Sequence, residues 1–242
     1  VSIAAALALA VAATWIGIEK EFPTLAQLIA HLVYAQELLG YGHIIAVYWT
    51  LCLEFQFYLF LALLLCGRRW LSETAFHSAF LALLALSVVQ YLQIIDVSPR
   101  GFFLPYWWAF ALGALTCWAN TGALALPWYA VGVVLVLPAA FGARTAFVCV
   151  TVATALLLYT AGVLRRMHWL SAQPWQFLGR ISYSLYLFHP VVGWSAMSLA
   201  LRYLPDELAL LAGIAVSIVS AYIAYLTVER PSINLSRKIA LA

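Results

Sequence analysis

This chain is dominated by apolar stretches about as long as a helix needs to cross a bilayer. A hydrocarbon core of ~30 Å takes about 20 helical residues. Cut at charges, Pro and Gly, the sequence divides into about eight candidate spans, at roughly 1–18, 44–66, 75–95, 102–119, 126–141, 146–164, 182–200 and 208–228. The fifth is short and holds Pro127 and Pro138. Composition agrees: 66% of residues are apolar and 9% charged, against roughly 25% charged in soluble domains. That excludes a soluble globule, and intrinsic disorder still more firmly. Twelve basic against nine acidic residues give +3, too weak and scattered for nucleic acid. Ten-residue alternating strands are missing, so a barrel is excluded. The expected fold is all-α, a polytopic transmembrane helix bundle of about eight spans forming one domain over 1–242.

Orientation follows the Lys/Arg bias of the loops. One set of span ends holds Arg68, Arg69, Arg165, Arg166, Arg180, Arg230, Arg237 and Lys238; the other holds Lys20, Arg100, Arg144 and Arg202. Eight against four predicts both termini on the cytoplasmic side. Val1 opens directly on an apolar run without a basic n-region, which reads as a processed or truncated start rather than a signal peptide. Cys52, Cys66, Cys117 and Cys149 lie in apolar runs without metal or redox spacing and are expected to be buried free thiols. The Trp and Tyr residues gather near span ends, as in Tyr106-Trp107-Trp108, where aromatic belts at the headgroups account for them.

The loop over 22–43 carries its own pattern. Thr24 and Gln27 have capping-box spacing, and Leu25, Leu28, Ile29, Leu32 and Val33 share one helical face. The expected element is a short amphipathic helix on the non-cytoplasmic membrane surface. His31 and His43 are expected to be interfacial residues without a role.

Ionisable and polar residues inside spans are the informative anomaly, because a mid-membrane acidic side chain costs about 2.5–3.5 kcal/mol on insertion scales. Glu54 is the clearest case. Thr50, Glu54 and Tyr58 follow i, i+4 spacing and form a polar stripe. Two roles fit Glu54: a structural partner for an arginine of another helix, or a carboxylate in a cavity shared with the second constellation. That constellation is LGRISYSLYLFHPVVGW, residues 178–194, where Ser182, Tyr186 and His189 share a face. Ser182 and His189 are two turns apart, ~10 Å, too far for a Ser–His pair. Pro190 removes the hydrogen bond to the Tyr186 carbonyl, so a kink should leave that carbonyl free beside His189. Arg180 precedes this face and has two readings, a contact to phosphate or to Glu54, or snorkelling to the headgroups. Glu229 is expected in the last turn of its helix, offset by Arg230 or another cation, with Pro231 ending the helix.

In this order, the segments resemble the membrane acyltransferase 3 family of O-acyltransferases. The family's Trp-Ser-Leu-x-x-Glu-x-x-Phe-Tyr-Leu signature is matched by WTLCLEFQFYL over 49–59, with Thr50 in place of Ser. Its Gly-x-x-Ser-Tyr-x-x-Tyr-Leu-x-His is matched by GRISYSLYLFH over 179–189, and its Glu-x-Pro by Glu229-Arg230-Pro231. Family members have about ten spans; the first carries an Arg and a His about one span-length apart, the His being the catalytic base, and a basic Arg-rich loop follows the second. Neither feature precedes WTLCLEFQFYL here, so the eight spans correspond to the family's last eight, about four-fifths of its domain.

The resemblance implies transfer of an acyl group, often acetyl, from an acyl-CoA donor to a hydroxyl of a carbohydrate or lipid-linked acceptor, in a bacterial inner membrane. No bound cofactor, metal or nucleic acid is expected. Glu54 and His189 are the implied catalytic candidates, and Tyr58, Arg180, Ser182 and Tyr186 the substrate-binding ones. These 242 residues by themselves are expected to show no turnover. The rival reading is a non-enzymatic transporter or lipid-handling subunit, since mid-depth polar residues beside a proline kink suit transporters equally well. Cysteine-accessibility labelling should find position 238 cytoplasmic and position 100 outside; the reverse pattern overturns the topology.

Overall fold

The computed structural model describes residues 23–44, 47–142 and 144–240, and all regular structure among them is helical. The expected span over 1–18 lies outside the described residues. The α-helices are α1 (Leu25–Leu32), α2 (Tyr48–Gly67), α3 (Glu73–Tyr91), α4 (Trp107–Asn120), α5 (Leu126–Val136), α6 (Thr145–Val163), α7 (Gln173–Phe188), α8 (Trp194–Ala200), α9 (Asp206–Ala224) and α10 (Arg230–Ala240). Short 3-10 turns, and π turns at His189–Gly193 and Tyr225–Glu229, join or interrupt them.

Four helices among the described residues are long and apolar enough to cross a membrane: Tyr48–Trp70, Glu73–Tyr91, Thr145–Val163 and Asp206–Lys238. These are the features of an integral membrane protein. The other expected spans are shorter for local reasons. Pro105 sits in a 3-10 turn, Leu104–Tyr106, so α4 starts only at Trp107 and has 14 residues. Pro138 likewise converts the end of the apolar run after α5 into a 3-10 turn, Leu137–Phe141. The span expected over 182–200 is broken by the π turn at Pro190.

Pro231 does not end its helix; α10 runs on to Ala240. The reason lies one turn earlier. In the π turn the Arg230 N–H bonds the Tyr225 carbonyl, five residues back, and this shifts the ladder by one. Pro231 thus stands in the first turn of a new helical segment, where its missing N–H costs nothing.

The described residues form two compact units, one from within 23–51 with 170–240 and one from within 52–169. The second buries Trp107 and Trp108, 1% and 0% exposed, together with Phe80, Leu84, Leu112 and Leu115, and the Phe80 ring meets that of Trp107 at 5.6 Å. These tryptophans are therefore core rather than headgroup belt. Ser87 locks them in place: its hydroxyl donates to the Leu104 carbonyl (2.6 Å) and accepts from the Trp108 N–H (2.8 Å). Gln56 anchors the loop before α4 in the same way, donating to Gly101 O (2.9 Å) and accepting from Phe103 N–H (3.2 Å). Phe57 stacks on Phe110 with 3.5 Å between ring centroids. The cysteines divide, Cys52 being buried while Cys66, Cys117 and Cys149 are exposed free thiols. The apolar runs that hold them present one face outward, as lipid-facing helices do.

In the first unit, the Thr24 hydroxyl caps α1 by accepting from the Gln27 N–H (3.2 Å). Only half of the capping box forms, since the Gln27 amide reaches Gly42 O instead (2.8 Å). Leu25, Ile29, Leu32 and Val33 are all half exposed or more, an apolar face suited to a membrane surface, while Leu28 packs on the cluster of Tyr48, Leu51 and Leu187.

His31 is not an idle interfacial residue. It is buried, and both ring nitrogens are used: Nδ1 meets the Gln27 carbonyl (2.7 Å) and Nε2 accepts from the Ile44 N–H (3.1 Å). That pattern requires a neutral ring protonated at Nδ1. Burial holds its pKa below the ordinary value, and nearby His43, itself paired with Glu37, acts in the same direction. A histidine with a depressed folded pKa contributes its full stability above the unfolded value of about 6.5. As pH falls below that value, the unfolded segment takes up a proton that the folded one refuses, and stability drops. Limited proteolysis of the 23–44 segment should therefore accelerate between pH 7 and 5, and His31→Gln should flatten that dependence.

Candidate functional site

The site in the first unit is built by the break in the α7–α8 helix. At Pro190 the missing N–H would orphan a carbonyl one turn back, a costly state in hydrocarbon. The His189 side chain repairs it: Nδ1 lies 3.0 Å from Tyr186 O and 3.1 Å from Leu185 O. The Tyr186 carbonyl expected to be free for a substrate is thus taken by the neighbouring ring. Both partners are carbonyls and can only accept, so Nδ1 carries the proton in the neutral ring. The Nε2 lone pair is left as the proton-accepting atom of this histidine, which is exposed.

His189, Tyr186 and Ser182 line one cavity of about 550 Å³ between this broken helix and α9, otherwise walled by apolar side chains such as Trp194, Met197 and Ile214. The face expected over 182–189 is present. Ser182 donates to its own chain at Gly179 O (2.9 Å) and keeps its lone pairs for acceptance. The Tyr186 and Thr50 hydroxyls pair with each other and both lie within reach of the Val47 carbonyl (3.2 and 2.9 Å), so that one donates to the carbonyl while the other donates to its partner hydroxyl. This ties α7 to the start of α2 and holds the tyrosine ring still at the cavity wall.

The remaining candidates are not among the residues that line this cavity. The expected stripe on α2 divides, with Thr50 serving Tyr186 in the first unit and Glu54 belonging to the second. There Glu54 is half buried and accepts from the exposed Tyr58 hydroxyl (2.8 Å). Arg180 lines a different, polar cavity with residues of α10. Glu229 is offset by a hydroxyl rather than a cation, because the buried Ser184 donates to its Oε2 (2.6 Å). Sequence reasoning singled out Ser182 and passed over Ser184, which sits two residues on and hence on the opposite side of the helix. No group of three or more His, Cys, Asp or Glu among the described residues is arranged to hold a metal ion.

Gly193, Gly213 and Ser217 were also missed. A Cβ at Gly193 would come within 2.0 Å of Ser217 Oγ and 3.3 Å of Gly213 O. One at Gly213 would meet Met197 Cβ at 3.0 Å and Gly193 O at 3.1 Å. The broken helix and α9 thus approach backbone to backbone just below His189. The signal was present: Ala209, Gly213, Ser217 and Ala221 recur every fourth residue and are all buried, a small-residue stripe of the type that lets membrane helices touch.

No family model, no curated protein and no solved structure matches this chain. The site is therefore read on its own geometry.

Gly193→Ala should lower thermal stability of the detergent-solubilised protein through the clash with Ser217. Combining it with Ser217→Ala removes the colliding oxygen and should recover most of the loss, measured by fluorescence-detected melting. Equal loss in single and double variants would show that the close approach is not where the cavity is held.

Proposed function

We propose that the chain belongs to the class of membrane-embedded group-transfer enzymes. The particular reaction is O-acylation: transfer of an acyl group, often acetyl, from acyl-CoA to a hydroxyl of a carbohydrate or lipid-linked acceptor. The observation that carries this reading is His189, whose Nδ1 is held by two carbonyls so that Nε2 is the proton-accepting atom, at an apolar cavity. Acyl transfer needs the acceptor hydroxyl held in one orientation while a base takes its proton, and an imidazole fixed in one tautomer can accept that hydroxyl's hydrogen bond and orient it. The apolar wall formed by Trp194, Met197 and Ile214 suits an acyl group. Glu54 and Tyr58 are a second polar pair on α2, and their contribution under this reading is charge stabilisation or acceptor binding. The motif resemblance and the four apolar helices of membrane length support the assignment; under this reading the chain has about eight spans in a bacterial inner membrane with both termini cytoplasmic.

One observation favours a different class. Two π turns interrupt membrane-length helical stretches, and broken helices beside a cavity also serve transporters, where freed backbone groups coordinate cargo. The repair of the Tyr186 carbonyl by His189 weighs against it at the first break.

The test is turnover. Radiolabelled acetyl-CoA and a panel of glycan acceptors are incubated with the purified 242-residue chain. The same assay is run on that chain preceded by the two spans that resembling enzymes carry. Transfer is expected from the extended chain and about 10²–10⁴ less from the 242 residues, the usual worth of a general base. Comparable transfer from both would make His189 the base, checked by His189→Ala. Transfer from neither, with both proteins folded, would sink the acyltransferase reading.

A further inference from the structure

Beyond the His189 cavity, a second cavity of about 500 Å³ opens between α7 and the end of the last long helix, lined by Arg180, Glu229, Arg230, Asn234 and Arg237 among others. Its position follows from one hydrogen bond. Ser184 of α7 donates to Glu229, pinning the two elements side by side. Arg180 lies one turn before Ser184, and Ile233 one turn after Glu229, so the antiparallel pair opens into this cavity just past the pin. Arg230, Asn234 and Arg237 follow i, i+4, i+7 spacing and present a single face of α10 to it.

The charge there is unbalanced. Three guanidinium groups face one carboxylate, and that carboxylate is engaged by Ser184. Among the described residues, none of Arg180, Arg230 and Arg237 makes an ion pair; the pairs present involve Glu37, Glu73 and their own neighbours. Arg180 uses only Nε internally, donating to Gln176 O (3.3 Å), and keeps both terminal nitrogens for something else. Three converging cations repel one another until an anion joins them. Planar guanidinium forks match a phosphate bidentately, and an amide such as that of Asn234 adds a further donor.

The length of the last helix sets the depth of this cavity. The stretch Asp206–Lys238 has 33 residues, about 50 Å at 1.5 Å per residue, against a core of ~30 Å. The excess of roughly 20 Å carries the basic end past the hydrocarbon to the level where lipid phosphates and water-borne phosphates are both within reach. Snorkelling alone would spread these arginines outward around the helices. Here they converge on one concave site instead.

We propose that this cavity is a phosphate-recognition site, taking the phosphate of an anionic lipid headgroup or of a soluble phosphoester. The inference does not depend on acyl transfer: it rests on charge and shape, and would hold for a transporter as well.

The 242-residue chain is purified in maltoside micelles, which contain no phosphate. Coenzyme A and inorganic pyrophosphate are titrated by isothermal calorimetry, and retention of added phosphatidylglycerol is read by native mass spectrometry. At least one probe should bind, with affinity falling as salt rises. Arg180→Gln and Arg237→Gln should each weaken it about tenfold, as expected for loss of one charge-assisted hydrogen-bonding partner. Arg202→Gln, remote from the cavity, should leave it unchanged. Binding of coenzyme A and pyrophosphate identifies a soluble phosphoester; retention of phosphatidylglycerol alone identifies a lipid headgroup. If Arg180→Gln fails to run as a monodisperse peak, Arg237→Gln on the exposed end of α10 carries the test. Failure of every probe to bind, or binding that neither substitution weakens, overturns the proposal whatever the turnover assay shows.

Discussion

In a hydrocarbon environment a backbone carbonyl that loses its partner finds no water to replace it. Much of the detail of this protein follows from that constraint. The chain tolerates Pro190 because the adjacent histidine turns its ring back onto the orphaned carbonyl. It tolerates Pro231 because a π turn has already moved the ladder by one residue, so no donor is called for there. In each case a helix break becomes a place where a polar group is held in one orientation. The break at His189 settles which nitrogen carries the proton, and the break before Arg230 turns a row of basic residues toward α7.

Close packing is the complement of this device. Where the broken helix crosses α9, the contact is made by Gly193, Gly213 and Ser217, whose missing or short side chains let the backbones meet. Lipid tails are as apolar as leucine, so membrane helices gain by such close contact rather than by burying oily faces. In the second unit the same role falls to aromatic packing around Trp107 and Trp108, tied to α3 by the Ser87 hydroxyl. Tyr186 and Thr50, sharing the Val47 carbonyl, show a third solution: a backbone acceptor at the start of a helix used to immobilise a ring on another.

Much of the outline was legible from residue order. Helices beginning near Tyr48, Glu73, Thr145 and Asp206 follow directly from apolar runs bounded by charge or proline. The shared face of Ser182, Tyr186 and His189 follows from helical spacing and does line one cavity. What could not be read was who partners whom. The Tyr186 carbonyl looked vacant because a missing donor is visible in sequence whereas a side chain folding back onto it is not. Glu229 looked as if it needed a cation, yet Ser184, 45 residues away in the chain, serves it. His31 looked idle because the segment that buries it is an irregular loop without periodicity.

That the chain is helical and suited to a membrane follows from residue order alone, since hydropathy and segment length depend only on which residues follow one another. Residue order also determined where helices must falter, because proline removes a donor wherever it stands. That Trp107 and Trp108 are core, and that Arg180, Arg230 and Arg237 converge on one cavity, came from the tertiary structure alone. Those outcomes depend on which helices pack together and at what register, and that is fixed by contacts between residues far apart in the chain, which no local pattern encodes.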